Sequence, residues 1–185
     1  DSHHMMLIDS VLEHLDLEQI ETNLFRGMSE ELGSSRVFGG QVIGQALIAA
    51  LRTIDGRPCH SLHGYFLRPG DPSIPIIYEV DRIRDGKSFT TRRVIAIQKG
   101  EAIFNMSASF QVFEDGLSHQ IDMPDVPRPD DLPGEEEMFE KRKKDMTPEM
   151  ITMMKRDRPV EMKRVEDIDY LNPVKSDPVQ HIWFK

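Results

Sequence analysis

The 185-residue chain has one cysteine, Cys59, one tryptophan and three tyrosines. A single thiol excludes an internal disulfide framework, so the fold rests on a packed core. Basic residues are scarce beside acidic ones: 23 Lys and Arg stand against 32 Asp and Glu, a formal net charge of −9. Nucleic acids and anionic membranes both ask for a basic face, and this balance argues against either as the partner. No apolar run reaches the roughly 18 residues of a membrane span, and no charged-then-apolar secretory signal opens the chain. A cytoplasmic location is therefore expected. The opening "DSHHM" (1–5) reads as a tag remnant whose histidines are not metal ligands, and no metal or cofactor is expected.

What is present begins with an oddity. "RVFGGQVIGQAL" (36–47) puts Gly39, Gly40 and Gly44 into an apolar stretch, although glycine inside a helix costs about 1 kcal/mol relative to alanine. A P-loop would need Lys and Ser or Thr after its last glycine, but Gly44 is followed by Gln45 and Ala46. A dinucleotide fingerprint would need G-x-G-x-x-G after a strand, and here two glycines are adjacent. Both nucleotide readings fail, and the glycines are assigned to close packing.

Gln41 to Thr53 predicts a helix with almost no polar face, Gln41 and Gln45 being the polar exceptions before Leu51. Such a helix is expected to be covered on nearly every side, with Gly40, Gly44 and Ala46 thinning its flank for another backbone. Before it, Leu7, Val11, Leu12 and Leu15 predict a helix over 6–17, "NLFRGM" (23–28) an edge strand and "SEELGSSR" (29–36) a loop. After it, alternation predicts strands at 60–67, 75–84, 88–98 and 102–113, broken by "RPGDPS", "DGK" and "KGE". Short breaks mean antiparallel neighbours. One apolar helix followed by long antiparallel strands gives an α+β arrangement, a sheet curled around the helix.

The phrases "LFRGMSEELGSSRVFGGQVIGQAL", "HSLHGYFLRPGDPSIPIIYEVDRIRDGKSFTTRRVIAIQKG" and "IFNMSASFQ", spread over about residues 20–120, resemble the N-terminal half of the acyl-CoA thioesterase II family. The resemblance implies a hotdog fold and hydrolysis of fatty acyl-CoA to fatty acid and coenzyme A. Residues 6–113 would be the N-terminal hotdog. The proline-rich, charge-dense 114–157 would be a linker with short helices near 134–144 and 147–156, and 158–185 the incomplete start of a second hotdog. The family's catalytic Asp, Thr or Ser, and Gln would then lie beyond Lys185, so no catalytic residue is assigned here.

The helix itself supports that division, because Gln41 and Gln45 cannot act as a general base. The amides of Gly39, Gly40 and Gln41, at the helix start, are candidates for polarising a thioester oxygen. They join His63 and Tyr65 as the candidate substrate-binding residues, acyl-CoA being the expected ligand. His60 and His63 are candidate bases but have no acid at fixed spacing, and a structural role is the expectation for both. Cys59 is read as packing. Arg92 and Arg93 face opposite ways in a strand, so one of them could meet coenzyme A phosphates, though a surface ion pair is expected for either. The methionines crowding 138–162 are read as helix packing. A non-catalytic acyl-binding or assembly hotdog stays open as the alternative, and a dehydratase-type hotdog is a weaker third. The unpaired edge of a single hotdog predicts a homo-oligomer.

Overall fold

The computed structural model describes residues 2–29 and 35–185, which divide into two compact units, one within Ser10–Leu117 and one of residues 2–9 with Ser118–Lys185. In chain order come α1 (Ser2–Leu15), β1 (Glu18–Glu21), β2 (Leu24–Gly27), α2 (Gly39–Leu51), β3 (Cys59–Phe66), β4 (Ile76–Asp85), β5 (Phe89–Gln98) and β6 (Glu101–Gln111). The α1 helix starts before the expected Met6 because neither glycine nor proline interrupts residues 2–5, and it ends before Leu17, which is buried in the core. Most of the loop expected over 29–36 lies outside the described residues.

The six strands form one antiparallel sheet in the order β1-β2-β4-β5-β6-β3. The segment expected at the edge, β2, instead lies second, because β1 adds outside it. That short strand, "EQIE", is exposed throughout and offers no alternation to read. The β5–β6 hairpin turns on Lys99 and Gly100, both at positive φ (50° and 75°), the geometry that a two-residue hairpin loop needs.

One face of the sheet carries Phe25, Ile76, Tyr78, Val80, Val94, Ala96, Phe104, Met106, Ala108 and Phe110, all buried. Against it α2 lays Val42, Gln45, Ala46, Ala49 and Ala50. The far side of α2, with Ile43, Leu47, Ile48 and Leu51, is only partly buried. The expected cover on nearly every side is therefore complete on the sheet face and partial on the far side. The glycines also meet side chains rather than a second backbone: a Cβ on Gly44 would stand 3.1 Å from Leu15 Cδ2 and one on Gly39 2.9 Å from the Phe66 ring.

Two buried polar anchors fix the helix. Fully buried Gln45 donates from Nε2 to the carbonyls of His14 (2.8 Å) and Met28 (2.9 Å), and its Oε1 accepts from Tyr78 Oη at 2.6 Å. Burial pushes the Tyr78 hydroxyl well above its ordinary pKa, which keeps it a donor. At the other end Arg92, 1% exposed, donates from Nε to Thr53 Oγ1 (2.7 Å) and from its terminal nitrogens to the Thr53 carbonyl (3.1 Å) and Asp85 (2.8 Å). A cation beside a helix C-terminus is electrostatically favoured. The surface ion pair expected for Arg92 is corrected: Asp85 is exposed, but the guanidinium itself is inside. Arg93, one residue on, is exposed.

The second unit holds α3 (Glu135–Arg142), α4 (Pro148–Met154) and the antiparallel pair β7 (Met162–Arg164) and β8 (Ile182–Phe184). Its ties are polar: Lys141 and Arg142 both pair with Asp167, and Trp183 Nε1 donates to the Pro127 carbonyl at 3.0 Å. Among the described residues none from 118 to 185 is fully buried.

Two substitutions test the anchors. A Cβ at Gly27 would stand 2.4 Å from Gln45 Oε1, so Gly27→Ala must displace a bonded amide and is expected to cost about 1–3 kcal/mol. Thr53→Val leaves buried Arg92 Nε without its acceptor and is expected to cost a similar amount, about 1–3 kcal/mol. Urea midpoints read both, and unchanged midpoints would count against the anchors.

Candidate functional site

The start of α2 is built without a side-chain cap. Phe38 is the N-cap residue, extended at φ −67° and ψ 126°, and its side chain accepts nothing. A helix start leaves its first amides without intrahelical partners. Here the Gln41 amide turns back to the Phe38 carbonyl at 3.1 Å. The Gln41 side chain is also engaged, its Nε2 donating to the Met28 carbonyl at 3.1 Å. Of the three candidate amides, those of Gly39 and Gly40 are the two that this local pairing leaves over.

Aromatic rings flank both glycines. A Cβ on Gly39 would meet Phe66, and one on Gly40 would stand 2.6 Å from Phe38 Cε1. The two rings are themselves exposed, Phe38 by 67% and Phe66 by 58%, and Leu67 follows at 46%. The helix start is therefore apolar around two bare backbone positions, a surface suited to an acyl chain beside a polarised oxygen.

His63 and Tyr65 belong to the other side of the sheet. The register sets Phe66 opposite Phe104 and Gly64 opposite Met106, both on the buried face. Directly paired residues share a face, so His63, opposite Ser107, and Tyr65, opposite Asn105, point to the outer face. Their rings meet edge-on at 4.8 Å. The five candidate residues are thus divided, with Gly39, Gly40 and Gln41 on the helix side and His63 and Tyr65 behind it. His60 makes its contact with Ser109 Oγ at 2.8 Å, and Cys59 is partly buried with Sγ 3.5 Å from the Ser61 carbonyl.

An imidazole that does hold a carboxylate lies in the second unit, where sequence reasoning did not look. His181 donates from Nδ1 to Glu166 Oε1 and from its backbone amide to Oε2, both at 2.6 Å. These bonds hold the Glu166 carboxyl below its usual range. The pair closes the segment 166–181 between β7 and β8, and a separation of fifteen residues in irregular chain gave no periodic signal for it. Two open clefts of about 450 Å³ lie elsewhere on the first unit, one lined by Glu13, Asp16, Glu18 and Arg26 with Met28 and Pro75, the other by Glu21, Glu79, Asp81 and Arg93 with Leu24, Val80 and Ile95. Among the described residues no group of three or more His, Cys, Asp or Glu is placed to hold a metal, and no helix is long and apolar enough to cross a membrane.

Comparison with known proteins adds a family to this geometry. Residues 29–111 match the family model described as acyl-CoA thioesterase N-terminal domain. The chain is 39% identical over 180 residues to Acyl-CoA thioesterase 2 of Haemophilus influenzae, an alignment covering 97% of this chain and 63% of that protein. It is 45% identical over 143 residues to Acyl-coenzyme A thioesterase 8 of Mus musculus, covering 76% and 44%. Among solved structures, acyl-CoA thioesterase II TesB2 of Mycobacterium marinum matches with a TM-score of 0.70 and 44% identity, over 95% of this chain and 59% of that one. A hot dog protein from Alicyclobacillus acidocaldarius, 22% identical with a TM-score of 0.66, shares the fold. The chain spans less than two thirds of the length of the first of these relatives.

Proposed function

The chain belongs, through residues 29–111, to the acyl-CoA thioesterase family, and on that premise we propose that the protein serves the hydrolysis of fatty acyl-CoA to free fatty acid and coenzyme A. The match over 29–111 carries this reading. Attack of water on the thioester carbonyl needs a general base and a polarised oxygen. From Gln41 to Leu51 the helix has no Asp, Glu, His, Ser or Thr, and the two glutamines take up no proton. We propose that this hotdog is the non-catalytic partner and that the base belongs to a second hotdog, of which 158–185 is the opening and 114–157 the linker. The part left to this half is positioning. Gly39 and Gly40 offer amides, and Phe38 and Phe66 offer an apolar wall for the acyl chain.

The same surface has a use in assembly. Of the two sheet edges, β1 is four residues long and carries Glu18 and Glu21, whereas β3 runs eight residues without a carboxylate, lysine or arginine. Acidic edges resist pairing with a copy, and long uncharged ones invite it. Leu62 and Phe66 on β3 are exposed as well. We propose that β3 pairs antiparallel with β3 of a second copy of this chain, with His63 and Tyr65 serving that seam instead of the substrate. The single cysteine fits a cytoplasmic setting.

Release of coenzyme A from a long-chain acyl-CoA, followed with a thiol reagent, tests the proposal. The 185-residue chain is expected to turn over at least about 10²-fold more slowly than an equimolar amount of the M. marinum acyl-CoA thioesterase II. Comparable rates would overturn the assignment of the base to another hotdog. No measurable turnover, with a non-hydrolysable acyl-CoA analogue still bound, would favour the acyl-binding reading for this chain alone.

A further inference from the structure

The loop that follows β3 carries a cation to which the amide and acyl contacts give no role. β3 ends at Phe66, opposite Phe104, and the chain then peels away while β6 runs on to Glu101. Leu67 and Arg68 both donate from the backbone to the Ile103 carbonyl, at 2.9 and 3.2 Å. Arg68 is thereby set along the open stretch of the β6 edge, two residues beyond the ring that meets Gly39. Its Nη1 donates to the Ala102 carbonyl at 2.7 Å, and its Nε faces Glu101 Oε1 at 3.8 Å, too long for a hydrogen bond. Among the described residues the remaining N–H groups of this guanidinium carry no bond.

The loop is held in place. Buried Gln98 donates from Nε2 to the carbonyls of Asp71 (2.9 Å) and Ile74 (3.2 Å), and its Oε1 accepts from the Asp71 amide (2.8 Å). The Gly70 carbonyl accepts from the Val37 amide at 3.0 Å, which ties the loop to the residue before the N-cap of α2. Arg68 therefore stands on a fixed rim of the helix start. The nearby Asp71 is already engaged, by the Ser73 amide and hydroxyl and by Lys99 Nζ at 3.3 Å. Glu101 is left as the competitor for Arg68, and with the two side chains 49% and 64% exposed that pair is weak.

Resting on the reading that this half positions acyl-CoA, we infer that Arg68 binds the phosphates of the coenzyme A portion. An acyl-CoA has an apolar chain at one end and a nucleotide with several phosphate charges at the other, joined by the pantetheine arm. With the thioester at Gly39 and Gly40 and the chain against Phe38 and Phe66, that arm carries the phosphates away from the thioester to the rim. On a chain of net charge −9 a polyanion needs a local cation. A guanidinium answers phosphate with its planar fork of donors. Phosphate displaces Glu101, whose exposed carboxylate returns to water. The consequence is selectivity: Arg68 separates a coenzyme A thioester from the same acyl group on pantetheine alone, and Glu101 moderates that choice by competition.

Calorimetry of the 185-residue chain with three non-hydrolysable probes of one alkyl length tests the inference: S-alkyl coenzyme A, its dephospho form and S-alkyl pantetheine. Arg68→Gln is expected to weaken the coenzyme A probe about tenfold and leave the pantetheine probe unchanged, with Arg68→Lys restoring part of the loss. Glu101→Gln is expected to tighten the coenzyme A probe about two- to threefold. Glu79→Gln, the same change of net charge placed on β4, should leave it unchanged. Loss shared by the dephospho probe assigns the contact to the pyrophosphate, and loss confined to the full probe assigns it to the adenosine phosphate. Unchanged affinity in Arg68→Gln, an equal loss with the pantetheine probe, or no tightening in Glu101→Gln beyond that in Glu79→Gln would overturn the inference and leave the substrate reading standing. Should Arg68→Gln fail to fold, the Glu101→Gln and Glu79→Gln comparison decides by the same criterion. Binding of none of the three probes by the wild type would remove the substrate reading and the inference with it.

Discussion

A buried glutamine at the middle of α2 sets the position of everything around it. An amide shut away from water must find partners for its donors and acceptor or lose a few kcal/mol, on the order of 1–3 for each group left unmade. Gln45 finds them on three separate elements: the end of α1, the residue after β2 and Tyr78 on β4. Each bond fixes a distance between elements far apart in sequence. Apolar packing alone tolerates rotation of a helix whose two sides are both apolar, and a directional amide does not. Gly27 belongs to the same arrangement, since any side chain there would occupy the space of Gln45.

Once the helix is oriented, its two ends acquire different characters. The C-terminal end is locked by Arg92 through Thr53 and Asp85. The N-terminal end has no such lock, only two glycines and two exposed phenyl rings. Rigidity at one end and apolar openness at the other suit a unit that offers its helix start to an acyl chain while the chemistry is supplied elsewhere. The partly buried side of α2 and the uncharged β3 edge extend the same openness.

The long strands were legible because each is buried on one face, so β5 alternates along its whole length, β4 over Ile76–Val80 and β6 from Phe104 onward. From them and the apolar helix the α+β arrangement followed, and the hotdog came from the resemblance to the thioesterase family. The failures have physical causes. A short exposed strand such as β1 has no alternation, and its absence from the reading moved β2 to an edge it does not occupy. The helix looked surrounded because Ile43, Leu47 and Leu51 are as apolar as the residues that face the sheet, and periodicity cannot separate core from half-covered surface. Arg92 and Arg93 are chemically identical in sequence, and only the strand's register makes one internal. The candidate site suffered similarly: Gly39 and His63 come from phrases that resemble one family, yet the sheet lies between them.

Gln45 and Tyr78 act as a coupled pair rather than as two separately packed side chains. A double-mutant cycle on urea unfolding, with Gln45→Leu, Tyr78→Phe and the combination, measures that coupling directly. If the bond at 2.6 Å orients the helix, the double variant should lose less than the sum of the singles, with an interaction energy of about 1 kcal/mol or more. Additive losses within about 0.3 kcal/mol would mean that packing holds α2 without the amide.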